Sequence, residues 1–204
     1  MGIPVLILGE SGSGKSASLR NMPPDATVVL NVASKPLPFR TKFPKMANNA
    51  RYSTIYKTLD KCGDKRIVID DSQYLLAFDY FDHAAEKGYE KFTNMALQFA
   101  ALIRYVIDKT PEDCIVYFLH HTETTEAGRI KAKTIGKMLD EKLTVEGLFS
   151  IVLLAKTDGR EHVFVTQSDG FTTAKSPMEM FPIQIDNDLN MVDETIRKYY
   201  EFKS

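Results

Sequence analysis

The chain has almost no net charge. Its 26 Lys and Arg residues against 27 Asp and Glu leave 204 residues at −1. No global field draws it to nucleic acid or to a membrane surface, so any polyanion site must be a local patch. Cysteine is scarce: Cys62 and Cys114 share no metal-site spacing. They are expected to be buried or semi-buried thiols in a reduced, cytoplasmic protein. No apolar run approaches the ~20 residues that span a bilayer. The N-terminus lacks the charged region of a signal peptide and runs straight into an apolar stretch. Internal repeats and low-complexity linkers are also missing. What remains is 44% hydrophobic and 26% charged, ordinary for a soluble globular chain. One domain over residues 1–204 is expected.

The most informative run is Gly9-Glu10-Ser11-Gly12-Ser13-Gly14-Lys15-Ser16, which matches G-x-x-x-x-G-K-[ST] without a mismatch. Residues 3–8 before it read as a buried strand. Residues 16–21 read as the first turns of a helix, stopped by Pro23-Pro24. Strand, glycine loop and helix form the context in which this motif holds a nucleoside triphosphate. The glycines let backbone N–H groups converge on phosphates, and the helix start adds partial positive charge. Gly9 to Ser16, with Ala17, are the candidate ATP-binding residues. Lys15 is expected to reach the β- and γ-phosphates, and the Ser16 hydroxyl to ligate Mg²⁺. The competing reading is an ordinary Gly/Ser turn.

Apolar runs at residues 27–32, 66–71 and 114–119 read as further strands. Residues 53–61, 73–87 and 90–109 show helical spacing, with Gly88 between the last two. Residues 35–45, rich in proline and basic side chains, read as a solvated loop. Beyond residue 119 the pattern changes. Residues 122–134 read as an exposed loop or ribbon, 135–148 as helical, and 150–156 with 161–167 as strands joined by the turn Asp158-Gly159-Arg160. Residues 168–182 read as irregular. Asn187 or Asp188 is placed to cap a last helix running to about residue 203. Strands alternating with helices and then a hairpin predict an α/β fold: a mostly parallel sheet flanked by helices, with a C-terminal antiparallel β-hairpin.

The strand expected at residues 66–71 ends in Asp70-Asp71, as a Walker B strand does. It would deliver Asp70 to the edge where ligands bind in open α/β sheets, to hold Mg²⁺ with Ser16. Asp71 stands where many ATPases keep a water-polarising glutamate. It is one methylene shorter, which predicts slow water activation. A strand candidate between the two motif strands fits the ATPase division of such proteins. No arginine-rich lid, the mark of a nucleotide kinase, is found. The strand at 114–119 leads into His120-His121-Thr122, and His121 and Thr122 are candidates to sense a γ-phosphate. Metal binding by two adjacent histidines is disfavoured, because neighbours on a strand point to opposite faces.

Residues 3–19, 30–39, 67–75 (Ile67-Val68-Ile69-Asp70-Asp71-Ser72-Gln73-Tyr74-Leu75), 121–124, 133–142, 166–170 and 174–177 together resemble phage-encoded P-loop ATPases. They are similar to the RecA-like single-strand-annealing (Sak-type) ATPases of phage recombination modules. The resemblance spans most of the chain. It implies a RecA-like core, Mg²⁺ and ATP as cofactors, and a role in DNA recombination, annealing, replication or repair in the bacterial host cytoplasm. It also implies homo-oligomeric rings or filaments on single-stranded DNA and a single-strand-binding protein as a further partner. RecA-type cores carry a catalytic glutamate after the second strand; here that region reads Asn31-Val32-Ala33-Ser34. Either Asp71 takes that role or ATP acts mainly as an assembly switch.

In such filaments a cation from the neighbouring subunit approaches the γ-phosphate. Lys175 or Lys156 is the candidate, with Arg160 nearby, against the alternative of solvated surface cations. Arg129, Lys131, Lys133 and Lys137 occupy the region of a mobile DNA-binding loop. Arg40, Lys42, Lys45 and Arg51, with Phe39, Phe43 and Tyr52 near them, form a second basic group suited to DNA or to a protein. The rival reading is a regulatory or loader ATPase that switches a protein partner without touching DNA. A module that holds ATP without turnover is a third.

Overall fold

β1 (Ile3–Gly9) is apolar without alternation because both of its faces are covered. Val5 and Ile7 enter one core cluster, while Leu6 and Leu8 enter the other, on the opposite side of the sheet. A computed structural model describes residues 1–62, 66–86, 88, 90–135 and 144–202. β1 lies between β5 (Ile115–Thr124) and β7 (Ile151–Asp158), parallel to both. β4 (Arg66–Asp70), β2 (Thr27–Asn31) and β3 (Lys45–Asn48) extend the sheet beyond β5, all parallel. β8 (Glu161–Val165) and β9 (Gln184–Asp186) close the other edge antiparallel. The order is β3-β2-β4-β5-β1-β7-β8-β9, and β6 (Ile130–Ala132) pairs with the overhanging end of β5. The architecture is α/β, a mostly parallel nine-stranded mixed sheet.

Helices cover both faces. α1 (Tyr52–Leu59), α2 (Gln73–Asp82) and α3 (Glu90–Lys109) lie on one side. α3 buries Met95, Phe99, Leu102, Ile103 and Val106, a stripe at helical spacing. On the other side α4 (Leu189–Tyr199) buries Leu189, Val192 and Ile196. Asp188 caps it by accepting from the N–H groups of Asn190 and Met191. At the entry end of the strands, Asp193 is fully buried. It accepts from Arg66 Nε (2.5 Å), Arg197 Nε (2.8 Å) and the Tyr117 hydroxyl (2.8 Å), tying α4 to β4 and β5. Among the described residues no helix is long and apolar enough to cross a membrane.

Several expectations need correction. Cys62 and Cys114 are joined in a disulfide and are not free thiols. Arg66 and Ile115 are register partners on adjacent strands; Cys114 precedes Ile115 directly and Cys62 lies four positions before Arg66, so the pair meets at one end of the sheet across 52 positions. The helix expected after the glycine loop is present at Ser16–Asn21, as six residues of 3₁₀ helix. Pro23 and Pro24 leave too little chain to repay α-helix nucleation. β5 runs on through His120, His121 and Thr122 to Thr124 instead of stopping at Leu119. The polar stretch after it is a ribbon, as one of the two expectations held. α2 stops at Asp82, and the short edge strands β3 and β9 were not anticipated. The helix expected over 135–148 falls largely on residues 136–143, outside the described residues; Val145–Leu148 is a 3₁₀ turn.

Candidate functional site

The C-terminal ends of β1, β4 and β5 meet at one edge of the sheet. The register pairs Gly9 with His121 and Asn31 with Asp70, so residues far apart in sequence converge there. The loop from Gly9 owes its shape to its glycines. A Cβ on Gly9 would lie 2.3 Å from Ser13 Oγ and 3.0 Å from the Ala155 carbonyl oxygen. Gly12 and Gly14 adopt φ of 81° and 94°, which side-chain-bearing residues rarely tolerate. A Cβ on Gly14 would also meet His162 Nδ1 at 3.0 Å.

Lys15 lies over this loop, its Nζ donating to the carbonyls of Gly9 and Glu10, both at 2.8 Å. Burial lowers its pKa to about 8, against the opposing pull of Asp71 and Asp70. Ser16 Oγ donates to Asp70 Oδ1 at 2.8 Å, joining the loop to the end of β4. Asp70 is almost fully buried. Desolvation first, and the Asp71 charge second, push its pKa up to about 6. Asp71 has φ 59°, which turns the chain out of the strand immediately after Asp70. Both carboxylates therefore line the same cavity, where a continuing strand would send them to opposite faces. Burial pushes Asp71 up, but hydrogen bonds from His121 Nε2 (3.2 Å) and Lys35 Nζ (2.8 Å) outweigh it and hold its pKa below the ordinary value. The cavity, about 380 Å³, is lined by Ser11, Gly12, Gly14, Lys15, Ser16 and Ala17 from the loop. Lys35, Pro36, Pro38, Asp70, Asp71, His121 and His162 complete it.

Of the expected site residues, Gly9, Ser11, Gly12, Ser13, Gly14, Lys15, Ser16, Ala17, Asp70, Asp71 and His121 gather at or beside this cavity. Glu10 and Ser13 line a second cavity of about 410 Å³ across the loop, with Lys156 and Thr122. His120 and His121 do point to opposite faces. His120 is fully buried against Phe99, and burial lowers its pKa to about 4. The neutral ring accepts from Ser72 Oγ at 2.9 Å and donates from Nε2 to the Lys133 carbonyl at 2.8 Å. Among the described residues no group of three His, Cys, Asp or Glu could hold a metal ion. Ser16 and Asp70 nevertheless present two hard oxygens 2.8 Å apart at the cavity, a donor set that suits an ion which keeps most of its water, as Mg²⁺ does.

Lys175 is not at this cavity. Its backbone forms a bridge with Val152, and it borders a separate depression with Arg129, Ser168 and Thr173. Arg160 is exposed at the hairpin turn. Arg129 and Lys133 are exposed on the β5–β6 ribbon, Lys131 pairs with Glu123 at 3.1 Å, and Lys137 lies outside the described residues. Asn31, where a glutamate would serve a RecA-type core, is buried and donates Nδ2 to the Lys35 carbonyl at 2.7 Å. The sequence reading missed Lys35 and His162. Lys35 lies four residues past the end of β2, in the loop at the ligand-binding edge, and that position was the available signal. The chain matches no protein-family profile, and no curated protein is significantly similar to it.

Proposed function

We propose that this chain is a P-loop NTPase of RecA-like type that binds Mg²⁺ and ATP and hydrolyses ATP slowly. The observation that carries this reading is the 2.8 Å contact between Ser16 Oγ and Asp70 Oδ1. It joins a complete G-x-x-x-x-G-K-S loop to an acidic strand end 54 residues away, with β5 inserted between the two strands. The glycine-loop backbone would cradle the phosphates, and Lys15 would turn from its own loop carbonyls to the β- and γ-phosphates. Ser16 and Asp70 would hold Mg²⁺, which would supply neutralising charge to the bound triphosphate. Asp71, oriented by His121, would accept a proton from water as its oxygen attacks the γ-phosphorus and the bond to the β-phosphate oxygen breaks. The products are ADP and inorganic phosphate. A carboxylate with a lowered pKa is a weak base, which favours slow turnover.

The resemblance extends this proposal to single-stranded DNA in phage recombination, annealing, replication or repair in the host cytoplasm. It also extends it to self-assembly into rings or filaments and to work alongside a single-strand-binding protein. Arg129 and Lys133 on the exposed ribbon suit a phosphate backbone. Lys175, outside its own chain's cavity, suits a contribution to a neighbour's site. The test is phosphate release by wild type and Lys15→Ala, with and without oligo-dT at low salt. Mg²⁺-dependent release that DNA stimulates and Lys15→Ala abolishes supports the proposal. No release in any condition would overturn hydrolysis. A nucleotide response without DNA binding would favour the protein-switching loader.

A further inference from the structure

Lys35 occupies a position that no motif assigns. Its backbone is pinned, because the carbonyl accepts from Asn31 Nδ2 at 2.7 Å. Its side chain is 55% exposed and crosses to Asp71, with Nζ 2.8 Å from Oδ2. The same ammonium sits 4.6 Å from the Tyr74 ring centroid. Since His121 holds Oδ1, both oxygens of Asp71 are engaged by the protein. Lys35 also lines the cavity that contains Lys15, Ser16 and Asp70. An anchored backbone with a half-exposed cation lets the side chain change partners without moving the loop.

We propose that Lys35 reads the terminal phosphate of a bound nucleoside triphosphate. The inference rests on the cavity being a triphosphate site. A terminal phosphate facing Asp71 carries more charge than one carboxylate and competes for Lys35. When Lys35 leaves Asp71 Oδ2 for that phosphate, one Asp71 oxygen becomes available to the attacking water. A diphosphate brings no terminal group, and the Lys35–Asp71 pair persists. Lys35 thus couples recognition of the triphosphate to release of Asp71, and it separates ATP from ADP within one chain.

The test is competitive displacement of a fluorescent nucleotide from the full chain in Mg²⁺, by ADP and by a non-hydrolysable ATP analogue. Lys35→Ala is expected to weaken the ATP analogue by about tenfold or more, the loss typical of one charge-assisted hydrogen bond. ADP affinity should stay within about twofold, which also shows that the variant is folded. Lys35→Arg should keep most of the discrimination. Asp71→Asn, which removes the competing anion, should tighten the ATP analogue, and by more in the wild-type background than beside Lys35→Ala, where only the carboxylate–phosphate repulsion is relieved. If Lys35→Ala weakens both nucleotides alike, or neither, in a protein that binds both, the role of Lys35 is wrong. Wild type that binds neither nucleotide overturns the triphosphate site and this inference together.

Discussion

Replacing Asp70 by Asn should make the ligand-free protein more stable while removing its function. Asp70 is buried and its pKa rises from 3.8 to about 6. At about 1.4 kcal/mol per pH unit, keeping this carboxylate ionised in the fold costs about 3 kcal/mol at neutral pH. Asn retains an oxygen that can accept from Ser16 but carries no charge to desolvate. Part of the gain is offset because the buried Asn amide must itself give up hydrogen bonds to water. The net stabilisation is therefore on the order of 1–2 kcal/mol, or about 3–6 °C in Tm for a domain of this size. The pH dependence has a definite sign. Asp70 titrates higher folded than unfolded, so between about 3.8 and 6 the folded chain keeps a proton that the unfolded chain has released. Wild-type stability from this group falls as pH rises through that window and stays low above it. The advantage of Asp70→Asn should be full at pH 8 and less than half as large at pH 4.5. Urea denaturation of both proteins at the two pH values measures it. A variant less stable than wild type at pH 8, or a gain of equal size at both pH values, refutes the reasoning. The same variant should lose Mg²⁺-dependent nucleotide binding, a trade of stability for function in one side chain.

Gly14→Ala places a methyl 3.0 Å from His162 Nδ1 at φ 94° and should lower stability by about 1–3 kcal/mol. A Tm within a degree of wild type would contradict the loop conformation. Asp193→Ala strands Arg66 and Arg197 around a buried gap and should cost about 3–5 kcal/mol by denaturant titration. A loss below about 1 kcal/mol would show that the network contributes little. Lys175→Ala should leave the ATP affinity of the monomer intact and reduce DNA-stimulated turnover only in the assembled protein. Unchanged turnover in an oligomer confirmed by mass photometry removes Lys175 from the site.

Local features of the candidate site were legible because they are written in consecutive residues. The glycine loop, the apolar strand before it and the Asp70-Asp71 pair need no tertiary information. The hairpin was legible for the same reason, though its turn is only Gly159-Arg160 because Asp158 ends β7 paired with Glu161, and so was a helix cap at Asn187 or Asp188, which falls on Asp188. What depends on register was not. The Lys35–Asp71 pair spans 36 residues and requires β2 to lie beside β4, so Lys35 read as one more solvated cation. The Cys62–Cys114 bond requires Arg66 opposite Ile115. Lys45–Asn48 and Gln184–Asp186 are short and largely unburied, with no alternation to betray them; neighbouring strands recruit them. The turn at Asp71 that brings two carboxylates to one cavity is a backbone property of a non-glycine residue, which no residue pattern announces.

The central claim is that the loop from Gly9 and the Asp70 carboxylate form one Mg²⁺–triphosphate site. Isothermal titration of the full chain with ATP, with and without Mg²⁺, tests it most directly, alongside Lys15→Ala and Asp70→Asn. Wild type should bind one ATP per chain, more tightly with Mg²⁺. Lys15→Ala should lose binding, and Asp70→Asn should lose the Mg²⁺ enhancement. Wild-type heats indistinguishable from dilution, or binding that neither substitution alters, would contradict it.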